Sequence, residues 1–178
     1  MQSQKGSIDS LNRNLKVSKE SQTGAENQFV TFTLGDEEYG VEILKVQEII
    51  GYQTFTKVPG FPDFVKGVLN LRGAVVPVID LRVKFRMPSI EYNKFTVIVV
   101  LEICGRVMGV IVDAVSDVIT LTSEQIQPTP SFSTKIRADF IKAMGNKDNN
   151  FIIILDMNKV LSQEELELVD TSVSPTEG

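Results

Sequence analysis

Short apolar segments alternate with polar turns along most of the chain. The segments are rich in Val, Ile and Phe, and Gly, Pro, Asn or Asp bounds each of them. β-Branched and aromatic residues between turn formers are typical of β-strands. Many short strands with frequent turns favour an all-β barrel or sandwich. We predict strands at residues 29–34, 39–43, 67–71, 74–81, 96–103, 106–112, 115–121 and 151–157.

The hydrophobic period changes near the C-terminal end. Ser162 and Glu165 have the Ser-x-x-Glu spacing of a capping box, in which each side chain accepts a hydrogen bond from the other residue's backbone N–H. Leu166 and Val169 follow at helical spacing. The sequence therefore predicts a short C-terminal helix that ends near Asp170, followed by a polar tail at residues 171–178.

The first 27 residues differ in composition from the rest of the chain. Ser, Gln, Asn and Lys dominate, and the apolar residues are scattered. Such a segment buries too little apolar surface to offset its ordering entropy, so we predict a disordered tail at residues 1–27. The spacing of Ile8, Leu11 and Leu15 leaves one alternative, an amphipathic helix that becomes ordered on binding.

Two parts of the chain repeat each other. Residues 39–50 align with residues 108–119 at an offset of 69 positions, and residues 63–81 align with residues 139–157 at an offset of 76. The second block shares Asp-Phe-x-Lys, a later Asn and a strand-end Asp in one register, which argues against chance. A period of about 70 residues is too long, and two copies are too few, for a solenoid or propeller. We interpret the copies as two small barrels in pseudo-twofold contact, with a groove between them that suits ligands or partner helices.

The two copies differ at one turn. Residues 70–73 read Asn-Leu-Arg-Gly, whereas the aligned residues 146–149 read Asn-Lys-Asp-Asn. Both strings are typical of tight turns. Chemistry leaves two interpretations of Arg72 open: a surface turn residue paired with a nearby carboxylate, or an anchor in a protein interface, where Arg is enriched.

The composition excludes several kinds of active site. The 178-residue chain has no His and a single Cys, Cys104. His-based nucleophilic catalysis, His-ligated metals, an intrachain disulfide and a Cys-x-x-Cys site are therefore excluded. We interpret Cys104 as a small filler at a strand end, and the strand-end Asp80 and Asp156 as partners for backbone hydrogen bonds. We expect no enzyme activity, no catalytic or metal-binding residue and no cofactor.

Charge and hydropathy restrict the partners. Asp and Glu number 23 against 18 Lys and Arg, so the net charge is -5. A phosphate-binding surface usually carries a basic excess, and nucleic acid is therefore not an expected partner. No apolar run is longer than that at residues 97–101, which is far shorter than the roughly 18 residues that span a bilayer, and residues 1–27 hold no signal-like apolar stretch. We expect a cytoplasmic protein without direct membrane insertion.

Four strings, at residues 32–40, 45–49, 67–73 and 76–82, carry a family resemblance. The last two contain Asn-Leu-Arg-Gly and Val-Pro-Val-Ile-Asp-Leu-Arg, which is a specific combination. With them the chain resembles the CheW-like family of bacterial chemotaxis coupling proteins. The match runs from about residue 28 to residue 169, nearly all of the part that we predict to be ordered.

The resemblance implies two intertwined SH3-like five-stranded β-barrels, in agreement with the repeat. We accordingly place a CheW-like domain at residues 28–170, with the first barrel at about residues 37–92 and the second at about residues 28–36 plus 93–160.

The resemblance also implies a non-catalytic adaptor. Its expected partners are the cytoplasmic helical tip of chemoreceptors, the regulatory domain of the chemotaxis histidine kinase CheA, and further copies of itself in array rings. Such a protein would act in the cytoplasm at membrane receptor arrays. A generic SH3-like peptide-binding scaffold is the alternative.

Carried onto this sequence residue by residue, the resemblance implies two interaction surfaces. The receptor-binding set is Val46, Glu48, Arg72, Val97 and Val118, and the kinase-binding set is Ile49, Tyr52 and Phe132. The apolar members of both sets are also candidates for the core. For Phe132 the alternative is a plug in the second barrel.

Overall fold

Eleven strands in two sheets dominate the computed structural model, which describes residues 4–20, 27–128 and 138–173. The strands are Gln28–Leu34 (β1), Glu37–Glu42 (β2), Val46–Gly51 (β3), Val65–Leu71 (β4), Ala74–Asp80 (β5), Val97–Ile103 (β6), Arg106–Val112 (β7), Ala114–Thr120 (β8), Ile126–Gln127 (β9), Ile141–Lys147 (β10) and Asn150–Leu155 (β11). The α-helices are Gln4–Glu20 (α1), Leu81–Lys84 (α2) and Gln163–Val173 (α3).

The two sheets have the same strand order. One runs β3-β6-β7-β5-β4, and the other runs β8-β1-β2-β11-β10 with the short β9 added at its end. The aligned blocks of the repeat relate four pairs of strands, each with the same place in its sheet: β2 with β7, β3 with β8, β4 with β10 and β5 with β11. The offset of 69 positions, extended towards the N-terminus, also relates β1 to β6. The first two strands of each copy lie in the sheet that the remaining strands of the other copy form. Two intertwined β units, as predicted, are therefore confirmed.

Matching glycines stand where the two copies are joined by parallel strands. Gly40 of β2 pairs with Ile154 of β11, and its repeat equivalent Gly109 of β7 pairs with Val78 of β5. A Cβ atom at Gly109 would lie 2.8 Å from the Cγ2 atom of Ile98. The strands pack this closely because the glycine has no side chain.

Strand β6 shows how the core is divided. Val97, Val99 and Leu101 belong to the large apolar cluster between the two units, whereas Ile98 and Val100 belong to a cluster enclosed by the first sheet. Successive side chains of a strand point to opposite faces. The unbroken apolar run of β6 therefore contributes to two cores at once, as expected for a strand that is buried on both faces.

The boundaries between the units differ from our prediction. Strand β2 lies in the sheet of β1 and β8, whereas β6 and β7 complete the first sheet. The strands of the first unit thus span residues 46–112, and those of the second combine residues 28–42 with residues 114–155. The predicted first barrel at residues 37–92 is wrong because the exchange of hairpins depends on which strand edges pair, not on strand order along the chain.

Strands β3 and β10 are absent from the predicted set. The pairing of β3 with β6 shifts register between Val46 and Glu48, and the pairing of β10 with β11 shifts between Ile141 and Ala143. Such bulges interrupt the alternation of inward and outward residues. The equivalent strands β8 and β4 have the same register shifts and are in the predicted set, so the bulges do not by themselves explain the two omissions.

The N-terminal segment also corrects the prediction. Disorder at residues 1–27 is wrong for residues 4–20, which form α1. Ile8 and Leu15 are buried against the main core, and Leu11 packs partly against it. The alternative amphipathic helix is thus present, because packing against the β units supplies the burial that an isolated polar helix lacks.

The C-terminal helix begins as predicted. The Glu165 N–H donates to Ser162 Oγ at 3.1 Å, and the Ser162 N–H donates to Glu165 Oε1 at 2.9 Å. Leu166 and Val169 are buried. Helix α3 continues to Val173, slightly beyond the predicted end.

The strand-end aspartates also have the predicted role. Asp80 Oδ1 accepts the Arg82 N–H at 2.9 Å, and Asp156 Oδ1 accepts the Asn158 N–H at 3.1 Å. Each carboxylate therefore caps the short helical turn that follows its strand.

Candidate protein interface

A bidentate ion pair connects the two ends of the first sheet. Strand β3 and strand β4 are at opposite ends of this sheet, yet the turn after β4 reaches β3. Arg72 Nη1 donates to Glu48 Oε2 at 2.8 Å, and Arg72 Nη2 donates to Glu48 Oε1 at 2.6 Å. The paired hydrogen bonds orient both side chains. The structure thus brings together the two charged residues of the predicted receptor-binding set.

Arg72 is exposed and has an unusual backbone conformation. Its side chain is 75% exposed, and its φ angle is 51°. The aligned turn of the second copy has positive φ at Asp148 and Asn149, residue types that adopt the left-handed region more readily than arginine. Arg72 therefore occupies a backbone position that suits Asp or Asn better, as Arg86 with a φ angle of 60° also does.

The electrostatics keep this arginine charged. The hydrogen bonds and the charge of Glu48 raise the pKa of Arg72 above its ordinary value. The Glu48 side chain is 20% exposed, so the pair presents mainly its cationic member to a partner.

Three aromatic rings form a cluster just after β3. The ring centroid of Tyr52 is 4.8 Å from that of Tyr92 and 6.0 Å from that of Phe55. The Tyr92 hydroxyl donates to Asp80 Oδ2 at 2.7 Å, and burial together with this hydrogen bond raises the pKa of Tyr92. Tyr52 remains 38% exposed. An exposed ring that is held by its neighbours suits an interface anchor.

The predicted apolar site residues lie mostly beneath this surface. Val46 and Ile49 are fully buried, Val97 is nearly so, and all three belong to the cluster between the units. Val118, on the edge strand β8, is half-buried and packs against the same cluster. Val118 thus offers contact area to a partner, whereas the other three support the surface from below.

A pocket of about 810 Å³ lies between β3 and α1. Its walls include Glu48, Ile49 and Tyr52 from the predicted sets, and Ile8 and Asn12 from α1. Sequence reasoning missed Asn12, because one polar residue in a polar segment gives no signal of its own. The helical spacing of the neighbouring Ile8, Leu11 and Leu15 was the signal that could have drawn attention to this segment.

Other predictions concern residues or groups away from this surface. Phe132 lies outside the described residues. Across residues 4–20, 27–128 and 138–173, no three His, Cys, Asp or Glu side chains are grouped as a metal site requires. The helices of this described part are too short or too polar to cross a membrane.

Two intertwined β units with an exposed ion pair and a supported aromatic cluster define a protein-interaction module. A family model described as the CheW-like domain matches residues 28–165. The chain therefore belongs to the CheW-like domain family.

Individual relatives agree with this assignment. The chain is 48% identical over 154 residues to the chemotaxis protein CheW of Klebsiella aerogenes, covering 86% of this chain and 93% of that protein. It is 33% identical over 148 residues to the chemotaxis protein CheW of Bacillus subtilis, covering 83% and 94%. The crystal structure of the scaffolding protein TtCheW from Thermoanaerobacter tengcongensis superposes with a TM-score of 0.73 at 34% identity, covering 79% of this chain and 95% of that one.

Proposed function

We propose that this protein is a chemotaxis scaffold that couples the cytoplasmic helical tip of chemoreceptors to the regulatory domain of the histidine kinase CheA. Membership in the CheW-like family, whose compared members are chemotaxis and scaffolding proteins, supports the scaffold role. The protein then acts in the cytoplasm, at receptor arrays in the membrane, and adds no catalytic step of its own.

The exposed Arg72–Glu48 pair is the observation that carries the receptor contact. A charged pair held in one geometry can exchange or extend its hydrogen bonds when a polar helix approaches. Val118 adds apolar contact area on the facing edge strand, and Val46 and Val97 hold the two strands in position from the core. Together these residues form the receptor-binding surface of the proposal.

The kinase contact is proposed for the far end of β3. Tyr52 is the accessible member of the aromatic cluster, and the buried Ile49 fixes the strand that precedes it. Phe132 is retained as a third contact residue. The receptor and kinase surfaces adjoin but do not coincide, so one molecule can hold both partners.

An adaptor of this kind works through binding free energy and geometry. Holding the kinase next to the receptor raises its effective concentration. A signal passes only if the receptor's states differ in their affinity for the receptor-binding surface or in their effect on the kinase contact. Each contact can be weak, because an array repeats it many times.

Reconstitution tests the receptor surface. The purified chain, the kinase and receptor-containing membranes are combined, and kinase autophosphorylation and co-sedimentation are measured. Arg72→Ala should reduce kinase activation about tenfold, the loss expected for truncating an interface arginine, while its thermal midpoint stays unchanged. Asp148→Ala, in the aligned turn of the second copy, is the matched control. Full activation by a folded Arg72→Ala protein would refute the receptor contact.

A second substitution separates the two surfaces. Tyr52→Ala should weaken co-sedimentation with the isolated kinase regulatory domain and leave receptor binding intact, whereas Phe151→Ala, at another exposed aromatic residue, should affect neither. If the folded wild-type chain binds neither partner, the coupling proposal fails and a peptide-binding scaffold takes its place.

A further inference from the structure

Helix α1 lies across strands that carry Glu48 and Val118 of the proposed receptor surface and Ile49 of the proposed kinase surface. It contacts β3 and β8, the two repeat-equivalent edge strands of the sheets. Ile8 and Leu15 are 7% and 2% exposed, whereas Val17 is 66% exposed. One face of the helix is therefore docked and the other faces solvent, as for a partner helix in a groove.

The contact includes a specific polar anchor. Asn12 Oδ1 accepts the Ile49 N–H at 2.8 Å, and Asn12 Nδ2 donates to the Ile49 carbonyl oxygen at 2.8 Å. A side-chain amide has one donor group and one acceptor, so it can satisfy both backbone groups of an edge-strand residue. Asn12 thus replaces, at one position, the neighbouring strand that β3 lacks on this side.

The family match suggests that the domain is complete without this helix. The matched residues begin at residue 28, after the end of α1. The helix also carries few apolar residues, and most of the stability of such a helix comes from packing its apolar face against the protein. An added, weakly docked helix that is tethered to its own domain has the properties of an intramolecular ligand.

We propose that α1 is an autoinhibitory ligand of the surface that the edge strands β3 and β8 form, called the groove below, and that a helical partner must displace it to bind. The docking of α1 stands on the contacts above, whereas the identity of the partner as a chemoreceptor tip rests on the proposed function. While α1 is docked, the groove is closed to a second helix. The apparent affinity for the partner falls in proportion to the fraction of molecules with an open groove.

The first measurement follows the docked state without any partner. The chain has no Trp, so Leu11→Trp in the full-length protein gives a single indole next to the core. Its emission should be blue-shifted in the parent and shift to the red when Leu15→Asp and Asn12→Ala are added. Val17→Asp, on the exposed face of the same helix, should leave the emission unchanged. A solvent-like emission already in the parent overturns the proposal.

The second measurement tests competition. A synthetic peptide of residues 1–20 and a soluble receptor cytoplasmic fragment are titrated separately into the full-length parent, the Val17→Asp control and the undocked double variant. If α1 is docked in 90–99% of molecules, undocking should raise receptor affinity about 10–100-fold, and the peptide should bind the double variant only. The milder single variant Asn12→Ala should fall between the two if Leu15→Asp disturbs the fold.

The outcomes distinguish the two proposals. Equal receptor affinity of the parent and the double variant, with the indole reporting release, overturns autoinhibition and leaves the coupling role intact. If the receptor fragment binds no variant while the peptide binds the double variant, the coupling role fails and the self-occupied groove is confirmed. Receptor binding that does not displace the peptide also overturns the proposal, because the two helices then use different surfaces.

Discussion

The two copies of the β unit have one architecture but different surfaces. Their strand orders agree strand for strand, yet the aligned turns hold Arg72 in one copy and Asp148 in the other. The edge strand of the first copy, β3, receives the Asn12 side chain at its backbone. The shared architecture therefore does not require shared surface chemistry, and the first copy carries most of the candidate interface.

The side-chain contacts that link the two units also differ between equivalent positions of the copies. After β5, Arg82 Nε and Nη2 donate to the Asp113 carboxylate at 2.8 and 2.7 Å, and Asp113 Oδ2 accepts the Gly35 N–H at 2.8 Å. At the repeat-equivalent place after β11, Asn158 Oδ1 accepts the Cys104 N–H at 2.8 Å. One hairpin turn is thus held through an ion pair and the other through a neutral amide. Both contacts hold an equivalent hairpin turn, but only the ion pair contains a titratable carboxylate.

The equivalent glycines offer the strongest test of the shared core. Gly109→Ala should destabilise the protein by about 3 kcal/mol, the upper part of the range for overpacking, because the new Cβ would lie 2.8 Å from the buried, β-branched Ile98. Gly40→Ala should cost less, since its nearest neighbour is the terminal Cδ1 atom of Ile154 at 3.1 Å. Urea unfolding of both variants measures the difference. Equal losses would mean that the two junctions are equally tight.

Breaking the two hairpin links should give unequal losses. Arg82→Met leaves Asp113 with a half-buried and unpaired charge and should cost about 2 kcal/mol of unfolding free energy. Asn158→Ala removes one neutral hydrogen bond at an exposed turn and should cost about 1 kcal/mol or less. Denaturant midpoints at pH 7 provide the comparison. A larger loss in Asn158→Ala would reverse the ranking of the two links.

Acid should weaken the charged link first. Burial acts to raise the pKa of Asp113, but the hydrogen bonds from Arg82 and Gly35 outweigh it and hold the pKa below the ordinary 3.8. In Glu165, burial is likewise outweighed, by hydrogen bonds from Lys84 and Ser162, and the pKa lies below the ordinary 4.5.

The folded state thus binds these protons less readily than the unfolded chain does. The stabilisation is fully present above the ordinary values and is lost as the pH falls through the lowered ones. Urea midpoints between pH 6 and pH 3 should decrease, and Asp113→Asn should flatten this dependence while Asn158→Ala leaves its slope unchanged. An unaltered slope in Asp113→Asn would assign the acid sensitivity to other carboxylates.

The smallest effect is expected at the turn of Arg72. Arg72→Asn introduces a residue that tolerates positive φ and removes an exposed ion pair, and pairs of this kind add little to stability. The thermal midpoint should therefore stay within error of the wild type. A clear decrease would show that the Glu48 pair is needed to close the sheet, in which case Arg72 is a structural residue as well.

Much of the fold was accessible from the sequence because it depends on local patterns. The alternation of apolar residues predicted most strands, and Ser162 with Glu165 predicted the start of α3. The repeat required two like units, since aligned Gly, Asp-Phe-x-Lys and strand-end Asp positions imply equal local structure. Arg72 was singled out because its aligned partner is an aspartate.

Other features required the tertiary structure. The exchange of hairpins depends on pairing between strands far apart in sequence, and the division of β6 between two cores depends on what faces each side. The burial of Val46, Ile49 and Val97 could not be separated from groove exposure by their apolar character.

The N-terminal helix shows the contrast most clearly. The amphipathic spacing of Ile8, Leu11 and Leu15 is visible in the sequence, but a helix formed by such a polar segment is not stable in isolation. Its order comes from two buried side chains and from Asn12, which binds the free backbone edge at Ile49. Sequence determined which face of the helix is apolar. Whether this face is buried depends on the tertiary structure, because the sheet edge that it packs against exists only after distant strands have paired.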